Sequence, residues 1–194
     1  VGSNEEDLLQ LSTGNAGGNT FAGVRGDNEA GIRIRGGGSG RGGEIELAGG
    51  GRNTEPAVIK FSTTVTTSFD ERLRINSSGK VLIGTTTSLS AFGAGSALQV
   101  AGTGFSDGSI FISRDSANAF SGALVFGKSR GSLGGNTIVQ DGDQAGTIIW
   151  TAADGTDLTT DLAQIRGKID GTPGSNDMPG RIEFCTTSDG ASGV

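Results

Sequence analysis

Pro56-Ala57-Val58-Ile59-Lys60-Phe61-Ser62-Thr63-Thr64 returns 123 positions later (179 − 56) as Pro179-Gly180-Arg181-Ile182-Glu183-Phe184-Cys185-Thr186-Thr187. In both copies apolar and polar residues alternate, so Ile59 and Phe61, like Ile182 and Phe184, share one face of an extended chain. The first copy runs on into Asp70-Glu71-Arg72-Leu73-Arg74-Ile75-Asn76-Ser77-Ser78-Gly79-Lys80-Val81-Leu82-Ile83-Gly84-Thr85, whereas the second stops at Val194, where that continuation would begin. A long, imperfect repeat cut in mid-phrase is expected of a piece of an elongated, modular protein rather than of a complete enzyme. The start at Val1, without an initiator Met or a signal-type apolar region, carries the same expectation.

Outward from this phrase the two-residue period recurs. Ile32-Arg33-Ile34-Arg35, Glu44-Ile45-Glu46-Leu47 and Arg72-Leu73-Arg74-Ile75 each place two apolar side chains on one face. Ile110-Phe111-Ile112, Ala123-Leu124-Val125-Phe126 and Thr147-Ile148-Ile149-Trp150 extend the series. Turn signals separate them: Ser77-Ser78-Gly79, Asp107-Gly108, Asp141-Gly142-Asp143, Asp154-Gly155, Asp170-Gly171 and Pro179-Gly180. Only residues 4–11, with Glu5, Glu6 and Asp7 ahead of Leu8, Leu9 and Leu11, suit a turn or two of helix. The expected class is all-β with short strands.

Composition bounds the function. The hydrophobic set is 33% of 194 residues while Gly supplies 37, and glycine buries almost nothing and loses the most backbone entropy on folding. A thin β-rich shape with a core completed by other chains fits better than one thick core. The net charge of −6 disfavours nucleic acid and anionic membrane as partners. The absence of His removes the most usual general base and metal ligand, and the single Cys185 excludes a disulfide within the chain. No apolar run reaches the roughly 18 residues of a membrane span.

A second match extends the repeat: Gly31-Ile32-Arg33-Ile34-Arg35-Gly36 resembles Gly122-Ala123-Leu124-Val125-Phe126-Gly127 at an offset of 91 (122 − 31). With the later phrase at 123, the second copy is expected to carry about 32 extra residues (123 − 91) between Gly131 and Gly171. The organisation read this way is an N-terminal connector at 1–16, a first β module at 17–69, a connector at 70–104 with a turn at 77–79, and a second module at 105–194. Such strands taken singly leave unpaired edges, which closed symmetry among identical chains resolves. The spacing alone predicts an oligomer with the Ile, Leu and Phe faces turned inward.

The run from Asp70 to Thr85, followed by Ala97-Leu98-Gln99-Val100-Ala101-Gly102, resembles a phrase common in bacteriophage tail-fibre and tail-spike proteins. There it often precedes a C-terminal intramolecular chaperone of the endosialidase type. The segment from Val139-Gln140-Asp141-Gly142-Asp143 through Ile169-Asp170-Gly171-Thr172 to Phe184 is similar to the module ahead of that phrase, so the resemblance covers about two-thirds of the chain. It implies a homotrimeric, intertwined fibre shaft of β-prism or triple β-helix type. It also implies a virion, extracellular location, other tail proteins as neighbours, and a host surface glycan as the target of the tip. The chaperone's self-cleaving serine has no counterpart here, so no proteolytic residue is carried over.

The motifs with chemical meaning each have a plainer reading. Gly122-Ala123-Leu124-Val125-Phe126-Gly127-Lys128-Ser129 matches the P-loop pattern, but its middle reads as a strand and Arg130-Gly131-Ser132 starts no helix. The stretch from Arg33 to Gly43 looks like an Arg-Gly nucleic-acid segment, yet no aromatic interleaves it. Asp141, Asp143, Asp154 and Asp157 offer oxygens for calcium, but without a full loop pattern they read as turn residues. Paired carboxylates remain the one catalytic option, as in a glycan depolymerase of a tail spike. Trp150 reads as a core residue rather than a sugar-stacking one, and Cys185 as a small filler in the place of Ser62. No catalytic, cofactor-binding or metal residue is assigned, and no cofactor is expected. The leading expectation is a non-enzymatic structural segment of a phage tail fibre. A depolymerase module and a cellular extracellular fibre or adhesin stand as alternatives.

Overall fold

In the computed structural model, residues 31–36, 42–51, 57–64, 68–91 and 95–194 are described. The short helix expected at 4–11 lies outside them. The described residues are all-β and divide into two compact units, one holding residues up to 87 with 97–108, the other 88–96 with 109–194.

The first unit holds a six-stranded sheet: β1 (Ile32–Gly36), β2 (Gly43–Leu47), β3 (Ile59–Thr64), β4 (Phe69–Ile75), β5 (Val81–Ile83) and β6 (Leu98–Val100). Strands β1 to β5 form an antiparallel meander, and β6 joins β5 in parallel. The expected turn at 77–79 closes β4 onto β5. Asn76 Oδ1 accepts the Ser78 and Lys80 amides at 3.0 Å each, and Gly79 takes the φ of 75° that favours glycine. The phrase Asp70 to Thr85 thus continues the sheet of the first module.

Register converts alternation into two faces. Ile34, Ile45, Phe61, Leu73, Ile83 and Val100 stand in one cross-strand row, and Ile32, Leu47, Ile59, Ile75, Val81 and Leu98 in the next. A β-bulge between Phe61 and Ser62, where Phe61 pairs Leu73 but Ser62 pairs Glu71, absorbs Arg72 and keeps Leu73 and Ile75 in these rows. The opposite face carries Arg33, Glu46, Lys60, Arg74, Leu82 and Gln99 in register.

The second unit holds a three-stranded antiparallel sheet of β7 (Gln144–Thr151), β8 (Asp161–Ile169) and β9 (Gly180–Thr186). Its register reproduces β1–β3. Ile148, Ile165 and Phe184 stand opposite one another as Ile34, Ile45 and Phe61 do, and Gly146, Gly167 and Ile182 correspond to Ile32, Leu47 and Ile59. The charged row is inverted in sign: Glu46 facing Lys60 becomes Arg166 facing Glu183.

Two expected strands do not form. Residues 110–112 and 123–126 belong to no strand, and the structural counterpart of β1 is β7, at an offset of 114 (148 − 34). The match of 31–36 to 122–127 that suggested 32 inserted residues paired a strand with a non-strand segment. In register, the two meanders differ in length by 9 residues (123 − 114). Alternation shows which faces a segment would have, but a strand also needs a neighbour to bond to.

Candidate assembly faces

Burial in the six-stranded sheet runs against the usual distribution. Glu44, Glu46, Ser62 and Arg74 on the charged face are buried, Glu46 to 5% exposure, while Ile45, Leu47 and Phe61 on the apolar face are exposed and Ile34 reaches 62%. The charged side chains lie flat and satisfy one another. Arg33 Nη2 meets Glu46 Oε1 at 2.8 Å, and Lys60 Nζ lies 3.6 Å from Glu46 Oε2. Arg35 donates to Glu44, and Arg74 donates from Nε and Nη2 to the two Glu71 carboxylate oxygens at 2.5 and 2.6 Å. Buried charge is tolerable only when paired in this way. The Glu46 hydrogen bond is the chief cause that raises the Arg33 pKa above its ordinary value.

The three-stranded sheet repeats the arrangement. Ile148, Trp150, Ile182 and Phe184 are exposed, Phe184 to 78%. Trp150, expected in a core, is 44% exposed, and Ile149 on the opposite face is also exposed. The strand is apolar on both faces, and the described residues supply no complete cover for it. Phe126 lies against Gly146, where a Cβ would come within 2.4 Å of Phe126 Cβ, so only glycine admits the ring. Phe126, Gly146, Ile148, Ile165, Gly167 and Ile182 line a shallow apolar groove of about 250 Å³. Cys185 stands opposite Gln164 as Ser62 stands opposite Glu44, the place its sequence suggested.

The chemical candidates fall into structural roles. In the P-loop-like stretch Lys128 Nζ donates to the Ser129 carbonyl at 2.7 Å, and no helix follows among the described residues. Arg33 and Arg35 are held by Glu46 and Glu44, while residues 37–41 of the Arg-Gly stretch lie outside the described residues. Asp143 accepts two bonds from Arg130, at 2.6 and 2.7 Å, which hold its carboxyl well below the usual range. Asp154 Oδ1 caps a turn by accepting the Thr156 and Asp157 amides, and these bonds lower its pKa. Asp141 Oδ1 accepts the Gly171 amide at 2.8 Å, and Asp157 Oδ1 accepts from Thr159. Glu183 is shared by Arg181 and Lys168, in that order of effect on its lowered pKa. Among the described residues no group of three or more acidic, Cys or His side chains converges as a metal site, and no helix is long and apolar enough to cross a membrane.

The exposed apolar residues of the two sheets were legible in part. Ile34, Ile45, Phe61, Ile182 and Phe184 follow from period two. The seating of Phe126 on Gly146 does not, since a glycine beside a strand carries no signal of what approaches it. No family model matches the chain, and comparison with curated proteins yields no significant match.

Proposed function

We propose that the chain is a non-enzymatic structural segment of a phage tail fibre, a homotrimeric β shaft that projects a host-recognition tip. The observation that carries this reading is that Ile34, Ile45, Leu47, Phe61 and Leu98 of the two apolar rows are exposed in the single chain while Glu44, Glu46, Ser62 and Arg74 of the opposite face are buried. Water-facing Ile34, Ile45, Leu47 and Phe61 are a recurring cost to a monomer and a ready core for an assembly. Three as the number of copies rests on the resemblance of the phrase Asp70 to Thr85 to tail-fibre sequences. Neighbouring tail proteins, the virion location and a glycan target rest on the same resemblance.

The engaged carboxylates favour this reading over a depolymerase. Glu44, Glu46, Glu71, Asp143 and Glu183 are all ion-paired, so these five carboxylates are engaged by neighbouring cations of the same chain. Native mass determination of the chain tests the proposal: a trimeric mass is expected, and a monomer at micromolar concentration would sink it. Incubation with host polysaccharide is expected to release no new reducing ends; their appearance would favour the depolymerase.

A further inference from the structure

Residues 110–126 have an unusual combination of properties. Their backbone enters no ladder among the described residues. The hydrogen bonds in this stretch are local ones, from the Asn118 amide to Ser116 Oγ and from the Phe120 amide to Asn118 Oδ1. Its large apolar side chains face water: Phe111 is 90% exposed and Val125 83%, with Ile110, Phe120 and Leu124 also exposed. Ile112 packs on Gly122, where a Cβ would lie 3.0 Å from Ile112 Cγ2, so the two arms lie side by side. Fixing backbone residues costs conformational entropy, which this stretch does not recover by its own burial or hydrogen bonding. A two-armed ribbon of this kind is marginal until something pairs with it.

The same unit carries what the ribbon lacks. Strand β7 is bonded only to β8 among the described residues, so its outer edge offers free amides and carbonyls. The sheet behind that edge presents uncovered Ile148 and Trp150. Phe126 anchors one end of the ribbon on the face of its own sheet at Gly146, yet no cis pairing of the arms with β7 follows. One chain therefore holds both an unpaired apolar strand segment and an unpaired apolar strand edge. That is the inventory of a self-complementary, head-to-tail contact, which closes into a ring when the rotation closes.

We infer that residues 110–126 donate strands to the open β7 edge of a second copy of this chain. The inference rests on the assembly reading above and goes beyond it, because shared apolar faces need no exchange of strands. The arms Ile110-Phe111-Ile112 and Ala123-Leu124-Val125-Phe126 then become the strands that their alternation predicts, formed between chains.

Hydrogen–deuterium exchange on the full chain, with native mass measured on the same sample, tests this. In the assembled state the amides of 110–112 and 123–126 are expected to exchange on the order of 100-fold or more slowly than an unstructured chain, as ladder amides do. Val125→Pro, which removes one donor, is expected to release that protection. An oligomer whose 110–126 amides exchange at unprotected rates would overturn strand donation and leave the assembly reading standing. A monomer would overturn both, and protection within a monomer would show pairing inside one chain. Copies carrying Val125→Cys and copies carrying Thr147→Cys, each with Cys185→Ser, can also be refolded together and treated with a short bis-maleimide. A product containing one chain of each kind is expected, and its absence from a mixed oligomer would overturn the inference.

Discussion

The ring of Phe126 lies against the backbone of Gly146, so closely that a Cβ there would sit 2.4 Å from Phe126 Cβ and 2.7 Å from its Cγ. Valine suits a strand by propensity, but at this position it would expel the ring. Gly146→Val is expected to destabilise the three-stranded unit by about 1–3 kcal/mol, the usual cost of overpacking. Adding Phe126→Ala should recover much of that loss, because the two sites share one contact. Urea unfolding of the two single variants and the double variant measures the coupling, and strictly additive effects would show that the ring does not bear on Gly146.

Glu46 is the acceptor shared by Arg33 and Lys60 on the buried charged face. Glu46→Leu keeps the bulk but removes that acceptor, and a loss of about 1–3 kcal/mol is expected in the denaturant midpoint. Glu46→Gln, which still accepts a hydrogen bond, should lose less. Equal stability of all three proteins would show that the ladder contributes only geometry.

Stability should fall in acid. Asp143 and Glu183 have pKa values lowered from 3.8 and 4.5 respectively, chiefly by hydrogen bonds from Arg130 and Arg181. Below those reference values the unfolded chain binds more protons than the folded one, so their contribution is full above about pH 4.5 and drains as pH falls through the lowered folded values. Both groups lie at the surface and are only partly covered, so the effect should be modest and smaller at high salt. Thermal unfolding from pH 7 to pH 3 checks this, and Arg130→Gln should flatten the lower part of the profile.

Phe61 stands in the apolar row between Ile45 and Leu73. A carboxylate there, as in Phe61→Asp or Ile59→Asp, would be buried without a partner in any assembly that uses this face, and assembly is expected to be lost. Ser77→Asp, in the exposed turn, should leave the native mass unchanged. Normal assembly of Phe61→Asp would mean that another face is used.

Period two was enough to locate the strands around 32–35, 44–47, 59–62, 72–75, 147–150 and 181–184, because each carries its own apolar pair and a turn signal beside it. It misplaced the partner of β1, since Ala123-Leu124-Val125-Phe126 imitates the spacing of Ile32-Arg33-Ile34-Arg35 without a neighbour to bond. Trp150 shows the same gap: alternation places apolar residues on both faces of its strand, but the described residues do not supply the cover that would bury them. The absence of His removes the most usual general base, and Glu44, Glu46 and Glu183 are each ion-paired within the sheets.

A chain that repeats its own strand code risks pairing a strand with the wrong copy. The inverted charges of the two meanders act against this. If β2 paired with β9, Glu46 would face Glu183, and if β8 paired with β3, Arg166 would face Lys60. Like charges directly opposite are unfavourable by about 0.2–1 kcal/mol per pair, and the correct attraction is lost as well. The rows Ile34-Ile45-Phe61 and Ile148-Ile165-Phe184 are alike, so the sign of the charged row helps to tell each strand which module it belongs to.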